Sequence, residues 1–199
     1  INEERIDITH ITIHRNNEVC RVIELNGDGR LKSNGAQLYL EEMTRLNGDI
    51  MIILDTGMDE ADSLQFQRQI SIYNKYVTSQ AIPAIKQRQS GQTLPKGGIL
   101  IMVSPRWSHS VGQLHTDASG TGLLAKLKIR TKNKALTLII GYWPIPKTRI
   151  STMEEGSMAA FRRLEAWLHK ARIRKSPIQW MKDITSTWIT VAQETNSIP

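Results

Sequence analysis

Alternating and continuous runs of apolar residues divide the first part of the chain into strands and a helix. Residues 8 to 14 alternate and predict an edge strand, and RVIELN, from Arg21 to Asn26, predicts a second strand that stops at the glycines of GDG. From Asn34 the apolar residues take helical spacing, and NGD ends this helix before the uninterrupted apolar run IMIIL. The pattern therefore predicts a strand, helix, strand unit whose second strand is buried on both faces.

A second helix and a surface loop are predicted to follow. Asp59 is a candidate N-cap for this helix. The residues predicted to form the apolar face of the helix are Phe66, Ile70, Tyr73 and Val77. The basic stretch QRQSGQTLPKGG, residues 87–98, carries glycine, proline and polar residues and predicts a loop.

The remaining pattern predicts a meander followed by two helices. The predicted strands are Gly98 to Ser104, Gly122 to Arg130 and Ala135 to Trp143. Residues 150–172 open with a capping-box pattern and predict one helix. A second helix is predicted over 177–193, because Pro177 favours a helix start and Ile178, Met181, Ile184 and Trp188 share one face.

Composition and charge narrow the class of protein. The chain has 199 residues with 40% hydrophobic content, which suits one domain over 1–199. Its formal charge of +7 favours an anionic partner, above all nucleic acid, although many basic proteins simply carry solvated lysines. The single cysteine, Cys20, excludes an internal disulfide and a cysteine-based zinc site. With no apolar run of membrane length and no signal peptide, we expect an intracellular protein, whether nuclear, cytoplasmic or organellar.

Polar residues follow two of the predicted strands at the points where those strands end. Asn26 closes the first, and Asp55 follows the second where it leaves the sheet. The carboxyl end of a buried strand is a common location for chemistry in α/β folds. Two structural explanations stay open: Asp55 could cap the next helix or bond its own backbone, and Asn26 could be there because the NGDG turn tolerates positive φ.

Four segments, taken in order, resemble the exonuclease-endonuclease-phosphatase superfamily, the fold of deoxyribonuclease I and apurinic endonucleases. ELNGDGRL resembles the family's LNVNGLR, and DIMIILDT resembles DILxLQET. GILIMVSPRW resembles GVAILVSPRW, and IGYWPIP resembles a strand end of the type NVYAP. Order and spacing agree over about residues 20–146, and endonuclease domains of retroelements are the most similar type.

The resemblance implies an α/β fold of the four-layer sandwich type and a hydrolase of nucleic-acid phosphodiesters. It puts Asn26 on the metal-site asparagine, Asp55 on a metal-binding glutamate and Tyr142 on the active-site tyrosine. Asp55 would then be a ligand of Mg²⁺ or Mn²⁺, since such ions prefer oxygen ligands. Tyr142 would donate a hydrogen bond to the phosphate in the transition state, although it could equally be a half-buried tyrosine at a strand end.

The sequence also departs from the family. The GDFN and SDH motifs, which carry the catalytic aspartate and the general-base histidine, do not occur in the chain. Asp55 is one methylene shorter than the usual glutamate, and Leu54 replaces the glutamine before it. We therefore expect the amino-terminal half of an endonuclease-like domain, inactive alone, whose open sheet edge is covered by a carboxy-terminal half or a partner protein. The alternative is a catalytically dead structural or RNA-binding subunit of a larger assembly.

Basic and aromatic residues near the matched segments are candidates for contacts with DNA or RNA. Arg30 and Lys32 follow the first turn, and Arg106 and Trp107 lie in PRWSHS. Arginine and lysine bind phosphate, and an indole offers a stacking face to a base. Each charge could instead be a solvated surface residue.

Overall fold

A computed structural model describes residues 8–15, 18–27, 31, 41, 43–72, 76–89, 92–116, 124–130, 135–142, 162, 166 and 187–194. The backbone divides into two compact units, Ile1–His109 and Ser110–Pro199. The described part is a mixed α/β structure in which each unit is built around a sheet of its own. No helix in these ranges is long and apolar enough to cross a membrane.

A five-stranded sheet forms the centre of the first unit. Its strands in spatial order are β1 (Ile8–Arg15), β2 (Glu18–Asn26), β3 (Ile50–Leu54), β7 (Ile99–Val103) and β4 (Thr78–Ile82). β2 and β3 are parallel, as the predicted strand, helix, strand unit requires, and the other neighbouring pairs are antiparallel. β1 lies at an edge, as its sequence predicts. Residues 41 and 43–46 are the described helical part of the first predicted helix.

Burial explains why the central strands are continuously apolar. Every residue of β3 is fully buried, and so are those of β7 apart from Val103, which is 1% exposed. A strand with both faces covered has no polar side to alternate with, so IMIIL and ILIMV read as uninterrupted hydrophobic runs. One face packs into a cluster with Met43 and with Phe66 and Ile70 of the helix that follows β3.

That helix, α1 (Glu60–Ile72), begins where its capping residue predicts. Asp59 Oδ1 accepts a hydrogen bond from the Asp62 amide at 3.0 Å, and Asp59 O accepts one from the Ser63 amide at 2.9 Å. Phe66 and Ile70 are buried as predicted, but the extension to Val77 was wrong, because the helix ends at Ile72 and Val77 is 58% exposed. Tyr73 lies outside the described residues.

The stretch predicted as a loop forms a hairpin instead. β5 (Ile85–Gln89) and β6 (Gln92–Lys96) pair antiparallel with each other as a separate two-stranded sheet. The loop prediction was wrong because it rested on polar composition, whereas hairpin pairing joins backbone groups and needs no buried face. Strand β4 was not predicted either.

The second unit contains a four-stranded antiparallel sheet. Its spatial order is β11 (Thr187–Glu194), β10 (Ala135–Tyr142), β9 (Leu124–Arg130) and β8 (Val111–Thr116). β9 and β10 match their predicted runs. β8 was not predicted. Residues 162 and 166 are helical, within the helix predicted over 150–172, whose other residues lie outside the described ranges.

The helix predicted over 177–193 was wrong for its second half. Residues 187–194 form β11, which pairs with β10 from Thr187 opposite Tyr142 to Glu194 opposite Ala135. The segment TWITVAQE is rich in β-branched and aromatic residues, which favour strands, and the available edge of β10 outweighs the helical spacing of its apolar positions. Residues 177–186 lie outside the described ranges.

Burial makes Cys20 a chemically inert thiol. The residue is fully buried in β2. Desolvation raises the pKa of the thiol from 9.0 to about 12, and the Asp49 charge adds a smaller contribution in the same direction. The Arg106 charge acts in the opposite direction and lowers the pKa slightly. Because the thiolate is the reactive form, we expect Cys20 to react with a maleimide at pH 8 only after the protein is unfolded in urea. Rapid modification of the native protein would contradict this burial.

The same pKa shift gives a direction for pH dependence. The pKa of the Cys20 thiol is higher in the folded protein than in the unfolded chain. Its contribution to the free energy of unfolding is therefore fully present below pH 9 and is lost as the pH rises toward 12. Urea unfolding of the wild type and Cys20→Ala across this window checks the sign, because the alanine variant should lack this part of the alkaline decline.

Candidate functional site at the ends of two parallel strands

The register of β2 and β3 brings their polar ends together. Asn26, the last residue of β2, pairs with Leu54, the last residue of β3, so Asp55 is only one position beyond the residue opposite Asn26. Asn26 is partly buried and Asp55 is 5% exposed. This is the arrangement that two parallel strands must give when each is followed by a polar residue, because their carboxyl ends lie at the same edge of a sheet.

Gly27 allows the two strand ends to approach closely. Its amide donates to Leu54 O at 2.7 Å, which continues the strand pairing one residue beyond Asn26. A Cβ at this position would lie 3.0 Å from both Leu54 O and Asp55 O and 2.6 Å from Leu31 Cδ1. A side chain at this position would crowd the two backbone oxygens, and glycine avoids that contact where the Asp55 peptide comes close.

Asp55 starts a buried turn that joins β3 to the base of the β5–β6 hairpin. Its Oδ1 accepts a hydrogen bond from the Gly97 amide at 2.8 Å. The Thr56 amide donates to Gly98 O at 3.3 Å, and the Gly57 amide donates to Gly97 O at 3.0 Å. The Asp55 carboxylate is therefore tied to a backbone segment far away in sequence, and the helix is capped by Asp59.

Several residues of this turn adopt positive φ. Asp55 has φ of 50°, and Gly57, Gly97 and Gly98 have values of 65°, 77° and 90°. Aspartate is one of the few side chains that visit the left-handed region, since its short polar group can hydrogen-bond to nearby backbone. A Cβ at Gly98 would lie 2.5 Å from Thr56 Oγ1. Both this close contact and the positive φ favour glycine at position 98.

The side-chain oxygens described at this edge include those of the Asp55 carboxylate and the Asn26 amide. Mg²⁺ and Mn²⁺ commonly take one or two protein carboxylates and fill the rest of their coordination with water and substrate phosphates, and Asp55 fits that role. Its Oδ1 already accepts the Gly97 amide. In the part of the chain that the structure describes, no group of three or more histidine, cysteine, aspartate or glutamate side chains is placed to hold a metal ion.

The third residue predicted for catalysis belongs to the other unit. Tyr142 is the last residue of β10 and is 9% exposed, so it is more buried than the half-buried tyrosine considered from sequence. Its position at a strand end agrees with its predicted place in the motif. Its role as a donor to phosphate stays a prediction.

The residues predicted to contact nucleic acid are found in different environments. Arg106 has a side chain that is 54% exposed, and its Nη2 lies 2.9 Å from both carboxylate oxygens of Asp49 and 2.7 Å from Val19 O. Trp107 is 1% exposed. The prediction that Trp107 stacks on a base was therefore wrong, because a fully buried indole has no open face for a base. Arg30 and Lys32 lie outside the described residues.

Sequence reasoning missed the role of Asp49, which holds together the amino-terminal end of β3. Besides Arg106, its carboxylate accepts the Arg21 amide at 2.9 Å, and its backbone oxygen accepts the Ser104 amide at 2.8 Å. The Asp49 amide in turn donates to Arg21 O at 2.8 Å. Asp49 thus links β2, β3 and the segment after β7 at the sheet end opposite Asp55.

A comparison with solved structures finds proteins of limited similarity to this chain. No family model and no curated protein matches the chain. The endonuclease domain of TRAS1, a telomere-specific non-LTR retrotransposon, is similar to this chain with a TM-score of 0.36 and 16% sequence identity. The match covers 73% of this chain and 53% of the TRAS1 chain, so the present chain spans about half of that domain's length.

Proposed function

We propose that the chain is part of an endonuclease-like domain that acts on nucleic-acid phosphodiester bonds, with its site at the carboxyl ends of β2 and β3. The observation that supports this most directly is the register that pairs Asn26 with Leu54 and so puts an amide and a carboxylate side by side. The four sequence segments that resemble the exonuclease-endonuclease-phosphatase superfamily add to it, and the four-layer sandwich and single-domain organisation expected from them belong to the same proposal.

Each residue has a defined part in this proposal. Asp55 would hold a divalent cation through its carboxylate, which the Gly97 amide orients by its hydrogen bond to Oδ1. A bound Mg²⁺ or Mn²⁺ would neutralise charge on the phosphate and on the leaving oxygen. Asn26 would bind a phosphate oxygen or orient the carboxylate. The role of Tyr142 as a hydrogen-bond donor to phosphate rests on the resemblance alone.

The proposal also includes inactivity of this chain by itself. One carboxylate cannot both hold the metal and remove a proton from the attacking water, and a general base needs to be within hydrogen-bond reach of that water. The described residues at this edge offer Asp55 and Asn26. We propose that further groups come from a carboxy-terminal half or a partner protein.

A second candidate function is favoured by the hydrogen bond from Gly97. Because the Asp55 carboxylate already connects the end of β3 to the β5–β6 hairpin, its role can be wholly structural. In that case the chain is a catalytically dead nucleic-acid-binding or structural subunit of a larger assembly. The two candidates differ in what removal of the Asp55 charge does to cleavage and to stability.

Nicking of supercoiled plasmid in Mg²⁺ or Mn²⁺ separates the two. We expect no nicking by the 199-residue chain, nicking by a version extended past Pro199 along its reading frame, and at least a hundredfold loss in the extended Asp55→Asn variant. Asparagine keeps an oxygen acceptor for the Gly97 amide, so the variant should fold while losing the charge that a metal needs.

Glu60→Gln is the matched control for this experiment. It also exchanges a carboxylate for an amide, but on the exposed first turn of α1, and should nick at the wild-type rate. Equal nicking by Asp55→Asn and wild type would remove Asp55 from the catalytic role. Absence of nicking in every version, together with retained binding of an oligonucleotide, would favour the structural or binding subunit.

A further inference from the structure

Strand β9 carries three basic residues at alternating positions. Lys126, Lys128 and Arg130 are partly or fully exposed, whereas the residues between them, Leu127 and Ile129, are fully buried. Since successive side chains of a strand point to opposite faces, the three cations share one face and the apolar residues share the other. Neighbouring cations on this face are about 6.8 Å apart along the strand.

The neighbouring edge strand extends this basic face. His115 of β8 lies opposite Lys126 in the antiparallel register and is exposed, and directly opposite residues share a face. β8 is the last strand of its sheet, so the face continues to an edge. On the other side, Thr137 and Ile139 of β10, opposite Lys128 and Lys126, are 3% and 0% exposed. The basic strip, which consists of His115, Lys126, Lys128 and Arg130, is thus confined to β8 and β9.

The three strands at this face contribute no negative charge of their own. The segments VGQLHT, LAKLKIR and ALTLIIGY of β8, β9 and β10 contain no aspartate or glutamate. Charges of one sign grouped on a surface attract an anionic ligand, so the strip suits an anionic polymer.

We propose that the basic strip on β8 and β9 binds the phosphate backbone of a nucleic-acid strand that runs along β9. A row of regularly spaced cations complements a polymer with regularly spaced anions, and lysine stems can lie over the sheet while their ammonium groups reach the phosphates. Contacts of this kind bind without reading sequence. The inference rests on the proposed function for its choice of nucleic acid as partner, and it assigns binding to residues of the second unit.

The salt dependence of binding tests the proposal. Binding of a fluorescein-labelled single-stranded oligonucleotide is measured by anisotropy over a series of NaCl concentrations. The logarithm of the association constant falls with the logarithm of the salt concentration, and each phosphate contact adds about 0.7 to the steepness of that fall for a single strand. The triple variant Lys126→Gln/Lys128→Gln/Arg130→Gln should therefore make the slope shallower by about 2. Lys126→Arg/Lys128→Arg should keep the wild-type slope.

A charge-matched variant in the other unit controls for net charge. Arg21→Gln/Arg45→Gln/Arg68→Gln also removes three exposed cations and should leave the slope close to that of the wild type. The proposal is overturned if both triple variants lose the same steepness of salt dependence, or if the strip variant keeps the wild-type slope. It is also overturned if the wild type does not bind the oligonucleotide. So would binding to phosphatidylserine vesicles that depends on the strip when oligonucleotide binding does not.

Two further measurements keep the result interpretable. If the triple variant does not fold by circular dichroism, Lys128→Gln and Arg130→Gln are tested singly and should each lower the slope by about 0.7. Glu60→Gln, at an exposed carboxylate of the other unit, should bind like the wild type. If the strip variant binds like the wild type while the extended version nicks plasmid, only the proposal of binding by the basic strip is contradicted. If binding depends on the strip but no version nicks plasmid, only the proposed hydrolase function is contradicted.

Discussion

Replacing Trp107 with alanine should lower the free energy of unfolding by about 3–5 kcal/mol, the range typical of a large aromatic residue removed from a core. Trp107 is 1% exposed and is among the largest fully buried side chains of the chain. It belongs to the short helix α2 (Pro105–Ser108), which Pro105 starts after β7. Alanine would leave a cavity where the indole was, and urea unfolding measures the cost.

The environment of Trp107 also distinguishes a core residue from a stacking platform. A platform residue would weaken oligonucleotide binding when replaced and leave the unfolding free energy nearly unchanged. We expect the reverse, with Trp107→Phe losing less stability than Trp107→Ala because it fills part of the cavity. Exposed His109, directly after α2, is the control, and His109→Ala should change the free energy by less than about 0.5 kcal/mol. If Trp107→Ala were as stable as the wild type, the indole could not be part of the core.

The strand ends were predictable because parallel pairing follows from local pattern. A continuous apolar run such as Ile50–Leu54 has few alternatives to a doubly covered strand, and a helix between two such strands makes them parallel. Polar residues after both strands must then lie at one edge. For this reason the sequence predicts that Asn26 and Asp55 lie at the same edge of the sheet.

The partner of Asp55 could not be predicted in the same way. Gly97 is 42 positions away in sequence, and its amide reaches Asp55 only because the β5–β6 hairpin returns the chain to the end of β3. That hairpin has a polar sequence without the alternation that predicts strands. A hydrogen bond between distant backbone and side chain leaves no periodic signal.

The error at β11 has a different origin. Helical spacing of apolar residues and high strand propensity occur together over the last part of the chain, so local sequence supports both states. Pairing with β10 over eight positions decides between them, and that pairing is a property of the whole sheet. Trp107 is a similar case, because an aromatic residue in a polar loop sequence suits either a surface platform or a core.

Replacing Asp49 with alanine should cost about 2–4 kcal/mol of unfolding free energy, because its carboxylate accepts hydrogen bonds from both a backbone amide and a guanidinium. Its side chain is 14% exposed and accepts hydrogen bonds from the Arg21 amide and from Arg106. Alanine would leave the Arg21 amide without its carboxylate acceptor and would remove the charge that holds Arg106. Glu60→Ala, at an exposed carboxylate, should cost less than about 1 kcal/mol.

A double-mutant cycle of Asp49 and Arg106 separates the ion pair from the backbone hydrogen bond. Because the Arg106 side chain is 54% exposed, solvent screens the pair, and we expect a coupling of about 0.5–1 kcal/mol that decreases with added salt. The rest of the Asp49→Ala cost should then persist in the Arg106→Ala background, since the Arg21 amide does not depend on the guanidinium. If Arg106 were mainly a phosphate contact, Arg106→Ala would instead weaken oligonucleotide binding while leaving the unfolding free energy unchanged, and the coupling to Asp49 would be absent.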